Sequence, residues 1–315
     1  FGELTTEIIA AYCEEIAPAA YTLNPAADTQ LKLLRLPLPR AVVDRGAAAE
    51  VAVRRQLMSL CGEVLFFPDR DRPDHYHPRI NLHKTDSFMA LDDRTRDRLW
   101  RVHVDFFYRR HDSFWKAHGL KRLPALCDAT AMLICGEDLG MVPDCVPAAM
   151  EALGILSLKV QRMPTRRNID FNHPQDYPYA SVCTTATHDM ATLREWWQSL
   201  HEGDRHRFQG FYHHILGREG APPQAASPEL CAAIIWQHLC APSMWAIFPL
   251  QDLLAMDGQL RHPDPHAERI NVPSDPEHYW RYRLHLPLEV MLAADDFNAG
   301  LAAMVDQAGR GRGTS

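Results

Sequence analysis

The sequence predicts an α/β protein whose later part is built from parallel βα units. Short apolar runs alternate with helix-spaced segments from about residue 129 onward, the rhythm of strand–helix repeats. Polar residues able to do chemistry stand directly after several of those runs, where barrel folds place their sites. The chain has 315 residues, 46% of them hydrophobic and 23% charged, which is enough apolar material for a substantial core.

Residues 1–128 read as a helical and irregular region. Apolar positions recur at helical spacing over 46–61. The stretch 66–88, FFPDRDRPDHYHPRINLHKTDSF, is polar and rich in proline and reads as a long loop. A long helix is predicted from about Leu91 to His118, with Leu99, Val102, Phe106 and Phe107 at helical spacing. The string from Arg101 to Asp105 falls inside this pattern and reads as helix.

Residues 129–308 carry the βα rhythm. Predicted strands are Ala131–Cys135, Leu156–Gln161, Ala180–Thr185 and Met244–Phe248, with helices over 144–153, 190–200 and 227–240. Four strands are half of a (β/α)₈ barrel. A full barrel takes roughly 250 residues and only about 185 follow residue 128. The pattern therefore fits an open sheet, or a barrel whose first strands lie upstream. The end, 309–315 (GRGRGTS), reads as a disordered tail.

A net charge of -7 gives no basic footprint for nucleic acid. No apolar run approaches a membrane span. The N-terminus has neither the basic start nor the cleavage site of a secretory signal, so the expected location is cytoplasmic. It also lacks an initiator Met, which suggests that the chain begins inside a longer protein. The eight cysteines form no C-x-x-C pair and read as buried reduced thiols. His75, His77 and His83 lie close together without a zinc spacing and read as loop histidines; no metal or organic cofactor is expected.

Three strand ends carry the candidate chemistry. The first leads into Gly136-Glu137-Asp138-Leu139-Gly140. Successive side chains of a strand point to opposite faces, so one carboxylate can face the site while the other braces the following loop. A plain strand-to-turn junction with solvated acids explains the string as well. The third leads into Thr187-His188-Asp189, either a hydrogen-bonded pair for a sugar hydroxyl or, for Asp189, the N-cap of a helix starting at Met190. The fourth leads into Phe248-Pro249-Leu250-Gln251-Asp252, with Asn271 and the aromatic segment Tyr279–Arg283 beyond. Two carboxylates on separate strands resemble half of a glycoside site, in which an acid protonates the leaving oxygen and a carboxylate attacks from roughly 5–5.5 Å away in retaining enzymes. Met132, Leu133 and Ile134 are the apolar wall that would raise the acid's pKa.

Taken in order, these segments resemble glycoside hydrolase family 77, the 4-α-glucanotransferases. Cys135–Pro143 is similar to its acid/base motif and Leu158–Pro164 to its next barrel strand. Thr187-His-Asp189 with Thr192, Leu193, Arg194, Trp196 and Trp197 is similar to its transition-state motif, and Pro242–Asp252 and Tyr279–Arg283 to its last segments. His77–Asn81 and Leu126–Leu133 resemble the longer branch that includes the plant cytosolic disproportionating enzyme. The likeness runs from about residue 60 to 300. It implies the C-terminal half of a (β/α)₈ barrel behind a helical insertion, and transfer of α-1,4-glucan segments between maltodextrin, starch or glycogen donors and acceptors. Carried over, Glu137 is the acid/base, Asp189 stabilises the transition state, His188 binds sugar at the cleavage subsite, and Gln251 and Asn271 contact substrate. The family's nucleophile, an aspartate in an R-x-D-H motif on the preceding strand, is expected upstream of residue 1, with no R-x-D-H expected within the chain, which would leave this segment inactive by itself. An α-glucan hydrolase and a non-catalytic glucan-binding remnant are the competing functions.

Overall fold

The computed structural model describes residues 2–17, 20–164, 169–275 and 277–311. They fall into two compact units, Phe1–His111 and Asp112–Ser315.

The first unit has a core of its own. Leu4 of the 3₁₀ turn Gly2–Leu4 packs with Ile8, Tyr12, Leu33, Val42, Val53 and Leu57 from helices Thr5–Tyr12, Gln30–Arg35, Arg40–Val43 and Ala47–Cys61. Val53 and Leu57 are four apart, so the last of these helices presents one face, as its spacing predicts. Strands β1 (Cys13–Ala17) and β2 (Ala20–Leu23) form an antiparallel pair with no counterpart in the sequence reading. The loop predicted over 66–88 is also more ordered than its composition indicates. Strands β3 (Phe66–Pro68) and β4 (Tyr76–Pro78) pair antiparallel within it, and Asp86–Met89 is helical. Asp69 organises the turn between these strands. Its carboxylate accepts the backbone N–H groups of Asp71 and Arg72 at 2.9 and 3.1 Å, and contacts Arg72 and His77 at 3.0 Å each. The predicted long helix is present as Asp93–Asp105, a π-turn over Phe106–Arg110, and His111–Asp128, so it runs well past His118.

The second unit holds the predicted sheet. Strands β5 (Cys135–Gly136), β6 (Leu156–Val160), β7 (Ser181–Thr184) and β8 (Trp245–Ala246) are parallel and lie in that order. The outer two are shorter than the apolar runs that predict them. Pairing on β5 begins only at Ile134, whose carbonyl accepts Leu156 N–H at 2.9 Å. Met132 and Leu133, at 76% and 54% exposure, stand clear of any partner strand. Gly136 has a steric reason: a Cβ there would meet Met150 Cε at 3.0 Å, so β5 lies close against helix Val146–Leu153 because it carries no side chain at that point.

Behind the sheet, Leu193, Trp197, Leu200, Phe208, Phe211, Leu230, Cys231 and Ile234 form the main core. Leu193, Trp197 and Leu200 line one stripe of helix Leu193–Gly203, and the fully buried Trp197 donates its indole N–H to Pro223 O at 2.8 Å. Only Cys145, Cys183 and Cys231 are buried; Cys135 and Cys240 are exposed and all eight thiols are unpaired. The tail reading needs correction at its start. Arg310 donates to the carbonyls of Leu239, Ala241 and Ser243 at 2.6, 2.6 and 2.7 Å. These oxygens lie at and beyond the end of helix Pro228–Leu239, where carbonyls lack helical partners, and a guanidinium has donors enough for all of them. Residues 312–315 of that tail lie outside the described residues.

One buried carboxylate joins the sheet to this core. Asp252 Oδ2 accepts the Thr185 hydroxyl at 2.6 Å, just past β7, and Oδ1 accepts Leu193 N–H at 2.7 Å. Burial raises the Asp252 carboxyl above its usual range, against the pull of the Leu193 N–H, the Thr185 hydroxyl and the Arg162 charge.

Two substitutions test this account by chemical denaturation. Trp197→Ala should cost about 3–5 kcal/mol through the cavity it leaves. Asp252→Ala strands both the Leu193 N–H and the Thr185 hydroxyl without water and should cost about 2–5 kcal/mol. A loss below about 0.5 kcal/mol, the range of ordinary surface changes, would contradict either assignment.

Candidate active site

The four strands are parallel, so the segments that follow them emerge on one edge of the sheet. Glu137 follows β5, Thr187–Asp189 follow β7, and Phe248–Asp252 follow β8.

The two adjacent acids after β5 divide as strand alternation predicts. Asp138 is 5% exposed, and its Oδ1 accepts Leu158 N–H at 2.7 Å while Oδ2 meets Lys159 Nζ at 2.8 Å. Glu137 is exposed and makes no side-chain hydrogen bond among the described residues. Gly140, at φ +80°, turns the chain directly afterwards in a conformation that favours glycine. The apolar wall expected around Glu137 is not formed by Met132 and Leu133, which are both exposed.

After β7 the cap reading of Asp189 fails. The helix starts at Leu193, behind Thr192, and its first amide is taken by Asp252. Asp189 is left exposed, with Oδ1 accepting from Asn271 Nδ2 at 2.6 Å and Oδ2 at 3.4 Å from His188 Nε2. The His188 ring is itself 5.0 Å from the ring of Trp280, which is 55% exposed. Three of the predicted site residues, His188, Asp189 and Asn271, are therefore in one connected cluster. The carboxylate is held by an amide and neighbours an imidazole that itself contacts an exposed indole, so the cluster offers hydrogen-bond acceptors and an aromatic face.

Gln251 is placed differently. It is buried, donating to the Glu268 carbonyl at 3.2 Å, and it lines a cavity of about 330 Å³ together with Thr187, His188, Met190, Phe248 and Glu268. Glu268 pairs with Arg194 at 3.0 Å and accepts the Thr192 hydroxyl at 3.2 Å; its pKa is raised by burial, with Arg194 opposing. Glu195 accepts from Arg269 at 3.1 Å and His266 at 3.3 Å. Arg162 lies over the Trp196 ring at 5.2 Å and donates to the Ala191 carbonyl; burial brings it down to about 10, opposed by Asp252 and Glu195. Sequence reasoning missed Arg162, Glu195, Glu268 and the role of Asp252. Their signal was present as charges amid apolar helix and strand patterns, but their pairings span long stretches of chain.

The distribution of R-x-D-H also differs from the reading that puts it wholly upstream. The string occurs once, as Arg72-Pro73-Asp74-His75, in the first unit. It forms the β3–β4 turn and no part of the parallel sheet. Arg72 pairs with Asp69, Asp74 takes φ 60°, and His75 Nδ1 donates to the Pro73 carbonyl at 2.9 Å. This is a turn motif, not an aspartate at the end of a barrel strand. His77 pairs with Asp69 and His83 packs against Trp100; among the described residues no group of three or more His, Cys, Asp or Glu could hold a metal ion.

Comparison with known proteins bears on the whole segment. A family model described as 4-alpha-glucanotransferase, glycoside hydrolase family 77, matches residues 80–289. The 4-alpha-glucanotransferase DPE2 of Oryza sativa subsp. japonica is 36% identical over 98% of this chain and 32% of its own length. The 4-alpha-glucanotransferase of Chlamydia muridarum is 30% identical over 59% of this chain and 34% of its own. An amylomaltase from Streptococcus agalactiae in complex with acarbose aligns over 62% of this chain and 35% of its own, at 18% identity and TM-score 0.47. The chain thus spans about a third of the length of these relatives. With a family model covering most of its length, the chain belongs to the 4-alpha-glucanotransferase family, glycoside hydrolase family 77.

Proposed function

We propose that the chain supplies the acid/base side of a 4-α-glucanotransferase site that moves α-1,4-glucan segments between maltodextrins by a retaining double displacement. The observation that carries this reading is the shared edge of the sheet. It bears an unencumbered carboxylate, Glu137, two strands from a carboxylate, Asp189, already set in an amide–imidazole–indole cluster.

In this scheme protonated Glu137 donates to the glycosidic oxygen while a second carboxylate attacks the anomeric carbon, giving a covalent glucosyl-enzyme. The C–O bond to the leaving chain breaks and that chain departs with the Glu137 proton. Glu137, now ionised, takes the proton from the 4-hydroxyl of an acceptor glucan, and the new C–O bond releases the attacking carboxylate. Asp189 accepts from hydroxyls of the reacting sugar and gains strength as that sugar becomes cationic. His188 holds the same sugar, and Gln251 and Asn271 contribute through the cavity wall and through Asp189. Acceptor sugar held in the cleft outcompetes water. No metal or organic cofactor enters the scheme. The donors and acceptors are maltodextrin, starch or glycogen chains, and the place of action is the cytoplasm.

The attacking carboxylate belongs, on this proposal, to barrel strands outside residues 1–315. Two features support completion by further strands. Among the described residues each of β5 and β8 has one neighbour in the sheet, and Leu133, Trp245 and Ile247 beside them are exposed apolar side chains. The segment alone would then be inactive.

Glu137→Gln in the complete enzyme should lower maltotriose disproportionation by at least about 10³-fold, since acid and base steps both need it. Near-normal turnover would sink the assignment. Asp189→Asn should reduce kcat by roughly 10²-fold or more with little change in KM, the mark of an interaction made mainly in the transition state. A change confined to KM would make Asp189 a plain binding residue. Product analysis of the unsubstituted enzyme separates transfer from hydrolysis: maltotriose should yield glucose together with chains longer than three units, whereas shorter products alone would indicate a hydrolase.

A further inference from the structure

Asp138 has no part in the scheme above, yet it is a buried charge directly beside the proposed acid/base, and buried charges persist only where they are paired. Its two bonds do different things. Accepting Leu158 N–H at 2.7 Å makes the side chain a rung of the sheet, extending the β5–β6 contact past Gly136, the last paired residue of β5. The 2.8 Å pair with Lys159 Nζ, with both side chains largely buried, fixes the direction in which that rung is held. Glu137 sits between the last ladder residue and this anchor and has no side-chain partner of its own among the described residues. Its position is therefore set by its backbone, which is clamped on one side by the Gly136–Ser157 pairing and on the other by Asp138.

Building on the glucanotransferase reading, we infer that Asp138 and Lys159 are positioning residues for the acid/base: they hold the backbone of Glu137 at the sheet edge. The charge of both groups reaches the end of β5. The thiol of Cys135, two residues before Glu137, is pushed up by desolvation first and then by Asp138, while Lys159 pulls it down. Cys135 and Lys159 are the other titratable groups on the two strands that form this edge. On the helix packed behind β5, Glu151 points to solvent.

Asp138→Asn and Lys159→Met in the complete enzyme test this. Asn keeps an oxygen for Leu158 N–H but loses the charge that pairs with Lys159, and Met removes the other member of the pair. Both should lose roughly 10–100-fold in kcat with maltotriose KM near its original value, the scale expected for slight misplacement of a reacting group. Lys159→Arg, which keeps a charged donor for Asp138, should recover most of that kcat. A lower melting temperature with kcat unchanged in both variants would show a brace for the fold and overturn the inference. If one variant does not fold, the kcat and KM of the other still decide. Glu137→Gln made alongside separates the failures. If it turns over normally, the acid/base assignment falls and this inference with it. If it is inactive while the other two keep their kcat, only the inference falls.

Discussion

The carboxylate of Asp252 is held by the Thr185 hydroxyl at the tip of β7 and by the first amide of helix Leu193–Gly203. Those two bonds fix where β7 stops, where the helix begins, and how the segment after β8 lies across both. The intervening turn, Ala186–Thr192, carries His188 and Asp189. Because Asp252 takes the capping duty, Asp189 is free of it and its oxygens are available to Asn271, His188 and a ligand. A polar group buried without partners costs more than a partnered one gains, so the arrangement tolerates little drift. The surrounding charges follow the same logic. Arg194 pairs with Glu268, which lines the cavity, and Arg269 pairs with Glu195. Buried pairs of this kind contribute little net stability, but losing one member leaves an uncompensated charge. They hold the Gln251 and Glu268 wall in one geometry.

At the other end of the sheet the same division of labour recurs between two neighbours in sequence. Asp138 is committed to β6 and Lys159, and Glu137 is left unencumbered at the edge. In both places one carboxylate is spent on the fold so that another is not. On the mechanism proposed above Glu137 changes protonation twice per cycle, and an acid that does so cannot also be a structural ion-pair partner, because its anchoring would vary with its charge.

A good part of this was legible in the sequence because it rests on local periodicity. The parallel strands, the helices over 47–61, 193–203 and 228–239, and the alternation that sends Glu137 and Asp138 to opposite sides all follow from short-range spacing. Glycines 136 and 140 were legible as punctuation, though their reasons, a close helix and a positive φ, are tertiary and backbone facts. The two hairpins were not legible. β1–β2 and β3–β4 have strands of three to five residues without a strong alternation, and the turn holding Asp69 is stabilised by contacts a composition rule does not see. Arg310 was misread for a similar reason: a glycine-rich context signals disorder, while the unpaired carbonyls that hold the guanidinium come from residues 239–243.

The sequence by itself determined the family, the order of the strands' segments, and the identity of the residues at their ends, because each is encoded in contiguous residues. Only the tertiary structure decided which of those residues are free to act. Asp189 is an open carboxylate rather than a cap because Asp252, far along the chain, takes the helix N-terminus. Asp138 pairs with Lys159 on the next strand, while Glu137 has no side-chain partner among the described residues. The R-x-D-H string at 72–75 is a turn because Asp69 and Pro73 take up Arg72 and His75. In each case a short, charge-assisted or buried hydrogen bond between distant residues selects one of several roles that the local sequence allows.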